Sequence, residues 1–143
     1  MIAVDANILI YAQRMDSPWY RAADERIKEL AEGPGRWTIP WPCVHEFFSV
    51  STNPKIWPVP TPPILALNQM ESWMSAPGFV PLSEGLSHWK YLRPLIEENR
   101  LTGPAVHDAR IAAICMEHGV SALWSADRDF SKFAGLKIVN PLR

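Results

Sequence analysis

A chain of 143 residues can bury roughly 70 % of its unfolded surface, enough for one compact core and too little for two, so residues 1–143 read as a single domain. Fourteen Lys and Arg stand against fifteen Asp and Glu, for a net charge of -1. That balance excludes an overall positive field drawing in a polyanion, and any nucleic-acid contact has to come from local patches.

The first residues carry no basic segment, place an acid at position 5 and run into polar sequence at residues 13–16. Such a pattern fits neither a secretion signal nor a membrane span, and a cytosolic (cytoplasmic) protein is the expectation. Residues 2–4 are short, apolar and partly β-branched, as suits a strand buried on both faces of a parallel sheet. Asp5 then falls at the carboxyl end of that strand, where open α/β sheets place their ligands. Helical spacing follows over residues 7–14, and Ser17-Pro18 reads as the cap and first position of a second helix reaching about residue 32. Gly33-Pro34-Gly35 stops it.

Residues 36–40 read as the second strand, and Pro42 opens a helix to about residue 52 with Cys43, Glu46, Phe47 and Val50 as its inward stripe. The stretch 53–63 holds five prolines, which lack donors and fix φ, so it reads as a long stiff loop. Further helices are expected over 63–75, over 84–100 with an interruption at Pro94, and over 105–118, ended by Gly119. Short strands are expected at 79–80, 123–124 and 137–140, with a tight turn or short helix at 127–133. Strands alternating with helices argue an α/β fold with a central parallel sheet of four or five strands. The two cysteines, Cys43 and Cys115, have no zinc-ligand spacing and read as small buried hydrophobes.

Four acids stand where a solvated charge is not expected. Asp108 shares a helical face with Ile111, Ala112 and Cys115, although a first-turn acid that merely complements the helix dipole fits the same position. Asp127 follows the strand at 123–124 as Asp5 follows the first, Asp129 lies two residues on, and Glu46 sits on an apolar stripe. Carboxylates converging on one sheet edge would raise one another's pKa unless a cation held them. Oxygen-only ligation points to Mg²⁺ or Mn²⁺ and away from zinc.

The run IAVDANILIYA, WPCVHEF with Glu46, VHDARIAAI with Asp108 and LWSADRDF with Asp127 resembles the PIN-domain family, and within it the VapC ribonuclease toxins of bacterial toxin–antitoxin pairs. The resemblance covers nearly the whole chain, in order. It implies a PIN-like three-layer α/β/α sandwich in which Asp5, Glu46, Asp108 and Asp127 bind a catalytic Mg²⁺ or Mn²⁺. Asn7 and Ser125 match supporting polar positions that orient the ligands, and Asp129 matches an auxiliary acid. The implied activity is metal-dependent RNA cleavage by an activated water, leaving a 5′-phosphate and a 3′-hydroxyl. The implied assembly is a homodimer inhibited by a VapB-type antitoxin, with residues 7–30 and 41–50 making an apolar groove for the partner helix.

Arg14, Arg110, Arg128 and Lys132 lie within a few residues of these motifs and are candidates for RNA phosphate contacts, though each also reads as a solvated charge. His45 and His107 adjoin motif acids but point about 100° away on a helix, as surface or packing residues. Seven tryptophans are too many for one small core, which leaves some for interfaces or base stacking. Two other readings are a PIN scaffold that only binds, and a phosphoryl acceptor using Asp5. The second would want another Asp where this chain has Asn7.

Overall fold

The apolar sequence of β1 (Ile2–Val4) follows from its position. In the computed structural model, which describes residues 1–143, β1 is an inner strand of a four-stranded parallel sheet of order β2-β1-β3-β4. Its partners are β2 (Trp37–Thr38) and β3 (Ala122–Trp124), and β4 (Ile138–Val139) flanks β3. Residues 79–82 extend the sheet beyond β2 through two parallel bridges, Trp37 to Phe79 and Pro40 to Leu82. Pro81 lacks the donor that a continuous ladder would need, so the expected strand at 79–80 becomes a bridge-only fifth edge.

From β1 the chain passes through α1 (Ala6–Gln13) and α2 (Tyr20–Glu32) to β2, then through α3 (Trp41–Ser51) and α4 (Pro63–Met74) to the 79–82 edge. Both steps cross the sheet in one direction. The return through α5 (His88–Asn99) and α6 (Ala105–Glu117) to β3 runs the other way. Right-handed crossovers therefore put α1 to α4 on one face and α5 and α6 on the other, the expected three-layer sandwich. Packing agrees, since α1 meets α2 and α3, α3 meets α4, and α5 meets α6. The chain's direction reverses between β1 and β3, and the crevice at the carboxyl ends of such strands is where open sheets bind ligands.

The core joins both layers, with Trp37 edge-on to Phe79 and Phe47 edge-on to Trp73, each at 5.3 Å between ring centres. Burying a side chain of that size contributes roughly 1.5–3 kcal/mol. Trp37, Trp73 and Trp124 are buried, whereas Trp19, Trp41 and Trp89 are exposed. No helix is long and apolar enough to cross a membrane.

Three local expectations are corrected. Ser17 and Pro18 do not open α2. The Ser17 hydroxyl accepts from the Trp19 amide at 3.1 Å and its carbonyl from the Tyr20 amide at 3.2 Å, which makes a turn ahead of the helix. Pro94 does not interrupt α5, which runs through it. The ring removes one backbone donor, but Pro94 lies on the exposed side of the helix while Leu95 is buried. Residues 84–87, expected to start that helix, form a loop instead, because the Glu117 carboxylate accepts from the amides of Gly85 and Ser87 at 2.8 and 2.9 Å.

The proline-rich stretch is tied down by Arg14, which is buried at the end of α1. Its guanidinium donates to Asp16 at 3.1 and 2.7 Å, to the Val59 carbonyl at 2.8 Å and to the Thr61 hydroxyl at 3.3 Å, and lies 3.9 Å over the Trp57 ring. Arg14 is therefore corrected from a phosphate contact to a clamp. Position 14 lies near Asp5 in sequence, but the two stand at opposite ends of a helix, about 13 Å apart.

Candidate active site

The pairing of Val4 with Trp124 places the next residues, Asp5 and Ser125, side by side at the carboxyl ends of β1 and β3. Asp5 also caps α1, its Oδ1 accepting from the Ala6 amide at 2.8 Å. The other oxygen accepts from the Ser125 hydroxyl at 2.7 Å and from Asn7 Nδ2 at 3.3 Å. Asn7 Nδ2 also donates to Ser125 Oγ at 3.2 Å, while its Oδ1 accepts from the Ala126 amide at 3.2 Å. Ser125 Oγ accepts in turn from the Asp127 amide at 3.0 Å. One hydroxyl thus joins the first acid to the loop bearing the last, with Asn7 bridging the same two elements.

A second tier of acids lies above. Asp127 caps the 3₁₀ turn Arg128–Lys132, its Oδ1 accepting from the Asp129 amide at 2.8 Å. Asp108 projects from the first turn of α6. Asp108, Asp127 and Asp129 each bring one carboxylate oxygen within 4.8 Å of the others. Asp129 is therefore a full geometric member of this group, beyond the auxiliary place expected for it. Asp5 and Glu46 are not in that close trio; Asp5 reaches it through Ser125. Glu46 is corrected from the inward stripe of α3. That stripe is Cys43, Val44, Phe47 and Ser51, because the helix turns Val44 inward and leaves Glu46 open over a cleft.

The electrostatics mark one site. Burial pushes the Asp5 carboxyl above its ordinary value, opposed by the bonds from Ser125, Ala6 and Cys43 and reinforced by the charge of Asp127. Partial desolvation raises Glu46, and the charges of Asp5, Asp108 and Asp127 raise it further. Asp108 is raised by desolvation first and then by Asp127, while Lys132 pulls it down. Carboxylates held together with few cations favour a divalent ion, and an all-oxygen donor set fits Mg²⁺ or Mn²⁺.

The cleft between α3 and α6, about 490 Å³, is lined by His45, Glu46, His107, Asp108 and Arg110 among others. Arg110 is ion-paired to Glu84 at its rim. Lys132 acts on Asp108 by charge, and Arg128 lies in the wall of a recess that includes Asp127. Sequence reasoning missed Cys43, whose thiol donates to Asp5 Oδ1 at 3.6 Å. The signal was its spacing, one helical turn before Glu46 on the same helix.

Residues 2–136 match the PIN domain family. The chain is 30 % identical over 137 residues to Ribonuclease VapC48 of Mycobacterium tuberculosis, a match covering 96 % of this chain and 94 % of the relative. It is 31 % identical over 141 residues to Ribonuclease VapC25 of the same organism, covering 99 % of each. The fold is also that of the crystal structure of VapBC2 from Rickettsia felis bound to a fragment of promoter DNA, with a TM-score of 0.69 at 18 % identity over 97 % of this chain and 98 % of that one. With its strand order, its acid-bearing switch point and these relatives in view, the chain belongs to the PIN domain family, among the VapC ribonucleases.

Proposed function

We propose that this protein is a metal-dependent endoribonuclease toxin of the VapC type. The observation that carries the reading is the trio Asp108, Asp127 and Asp129, with carboxylate oxygens within 4.8 Å of one another, beside a buried Asp5 that no cation pairs. These acids would hold Mg²⁺ or Mn²⁺, with Glu46 facing the same cleft. A divalent ion there supplies charge neutralisation at the phosphate and a water acidic enough to attack it at neutral pH. Ser125 and Asn7 fix the Asp5 carboxylate so that its lone pairs point one way.

No side chain of the site is free to act as a covalent nucleophile. The Ser125 proton is committed to Asp5, and burial pushes the Cys43 thiol far above the range in which a thiolate forms. Hydrolysis by water leaving a 5′-phosphate and a 3′-hydroxyl fits that restriction. Lys132, whose charge acts on Asp108, and Arg128, which shares a recess with Asp127, are the cations this reading assigns to RNA phosphates.

The same reading includes a homodimer, a cytoplasmic setting and a VapB-type antitoxin. Exposed Met15, Val59, Ile64 and Leu65 give the α1 end of the molecule apolar surface for a partner helix. That surface lies around the Arg14 clamp, next to the helix pair over residues 7–30 and 41–50 expected to make the groove, where Trp41 is also exposed.

The test is cleavage of a structured RNA by the purified protein. Cleavage is expected with Mn²⁺ or Mg²⁺ and lost in EDTA, and Asp5→Ala is expected to abolish it. Cleavage persisting in EDTA or in Asp5→Ala refutes the mechanism. A thermal shift with Mn²⁺ separates the enzyme from a scaffold that only binds, which gains nothing from the ion.

A further inference from the structure

Apart from the cleft between α3 and α6, two recesses of about 200 and 170 Å³ adjoin at the end of the sheet. They share Ala126, Asn140 and Arg143 in their walls. The inner recess includes Asp127 of the acid trio together with Arg128, and the outer one ends on Tyr11 and Trp19. Together they make a groove leading from the acids, past two arginines, to a pair of aromatic rings.

Tyr11 packs partly against the core, but Trp19, Arg128 and Arg143 along this groove lack the partners that a purely structural role would give them. Trp19 is 46 % exposed, whereas Trp37, Trp73 and Trp124 are buried in the core. Arg128 and Arg143 join none of the chain's five ion pairs. Asn140 has its Oδ1 occupied by the Leu142 amide at 3.0 Å, which leaves its Nδ2 group to donate elsewhere. An exposed indole beside unpaired guanidiniums is the arrangement that binds single-stranded nucleic acid, with bases stacking and phosphates paired to arginine. A protein helix would seek apolar neighbours instead, and the exposed aliphatic residues gather elsewhere, at Val59, Ile64 and Leu65.

We infer that this groove seats an unpaired nucleotide of the RNA flanking the scissile phosphate, its base on Trp19 and Tyr11 and its phosphate on Arg143 and Arg128. Asn140 then offers a donor to the base edge, so the groove contributes to target choice as well as to affinity. This inference rests on the ribonuclease reading and deepens it by naming where the strand lies.

The experiment measures binding of a short fluorescein-labelled single-stranded RNA in EDTA, and cleavage kinetics of the same RNA with Mn²⁺. Trp19→Ala is expected to weaken binding and raise KM by roughly 5- to 100-fold, affecting kcat less than KM. Trp19→Phe restores most of the affinity by keeping a stacking face. Arg143→Ala is expected to flatten the slope of log affinity against log salt by about 0.7, the share of one single-strand phosphate. Trp89→Ala removes another exposed tryptophan, on α5, and is expected to leave KM where it was. Thermal unfolding of each variant shows that the fold survives. Wild-type cleavage with an unchanged KM in Trp19→Ala overturns the groove alone. A wild-type protein that neither binds nor cleaves RNA overturns the ribonuclease reading, and the groove with it.

Discussion

Helix α1 carries a buried charge at each end, and the two are handled in opposite ways. Asp5, 4 % exposed, receives only neutral donors, and its carboxyl is pushed up by burial. Arg14, 6 % exposed, has a carboxylate, a carbonyl, a hydroxyl and an aromatic ring arranged around its guanidinium. A buried charge that has found its counter-charge is a fastening. One surrounded by other acids and no cation is held at a cost to stability, and function is what compensates for it.

The contrast breaks most sharply at Asp5. Asp5→Asn is expected to cut RNA cleavage by roughly 10³-fold, the several kcal/mol that metal-assisted charge stabilisation supplies. Yet in EDTA the same variant should melt at a higher temperature than the wild type, because it no longer carries a desolvated charge. Ser125→Ala, which strips both Asp5 and the Asp127 amide of a partner, should weaken Mn²⁺ binding by roughly 10- to 100-fold in a calorimetric titration. Arg14→Ala should do the reverse of Asp5→Asn. It is expected to cost about 2 kcal/mol in urea unfolding through lost bonds to Val59 and Thr61 and lost stacking on Trp57, with kcat of the folded protein kept.

A pH series of melting temperatures in EDTA sharpens the same contrast with the smallest effect. Asp5, Glu46 and Asp108 have folded-state pKa values above their unfolded ones. The native state therefore takes up protons first, and the melting temperature should rise as the pH falls from neutral through those raised values. Asp16 is shifted down by its bond to Arg14. Its contribution is present above the ordinary aspartate value and lost as the pH falls through the lowered one, so the curve should turn over at lower pH. Added Mn²⁺ should invert the first limb, because protons then compete with the ion.

Much of the site could be read from the sequence because it hangs on short apolar strands. Asp5 and Asp127 each follow such a run, and Asn7 and Ser125 come with them. Helical faces were harder to read. Glu46 has apolar neighbours on every side of its helix, so periodicity alone could not show that Val44 turns inward in its place. Arg14 lies on a helix legible from the sequence, but the partners that bury it, Val59 and Thr61, come from a loop without periodicity. Asp129 could be assigned only an auxiliary place because its closeness to Asp108 depends on how α6 packs near the 3₁₀ turn. Pro94 was given too much weight, since an exposed proline on a well-packed helix costs one bond and leaves the helix continuous.

The order of the strands has a consequence for how this protein is made. β1 is synthesised first but finds one of its two neighbours, β3, only when residues 122–124 arrive. Asp5 waits on Ser125, and the trio on Asp129, near the far end of the sequence. A chain that stops short of these residues has Asp5 without its Ser125 donor and Asp108 without the other two carboxylates of the trio. For the proposed nuclease, the group of acids that would hold the ion is complete only once residues 125–129 have been made.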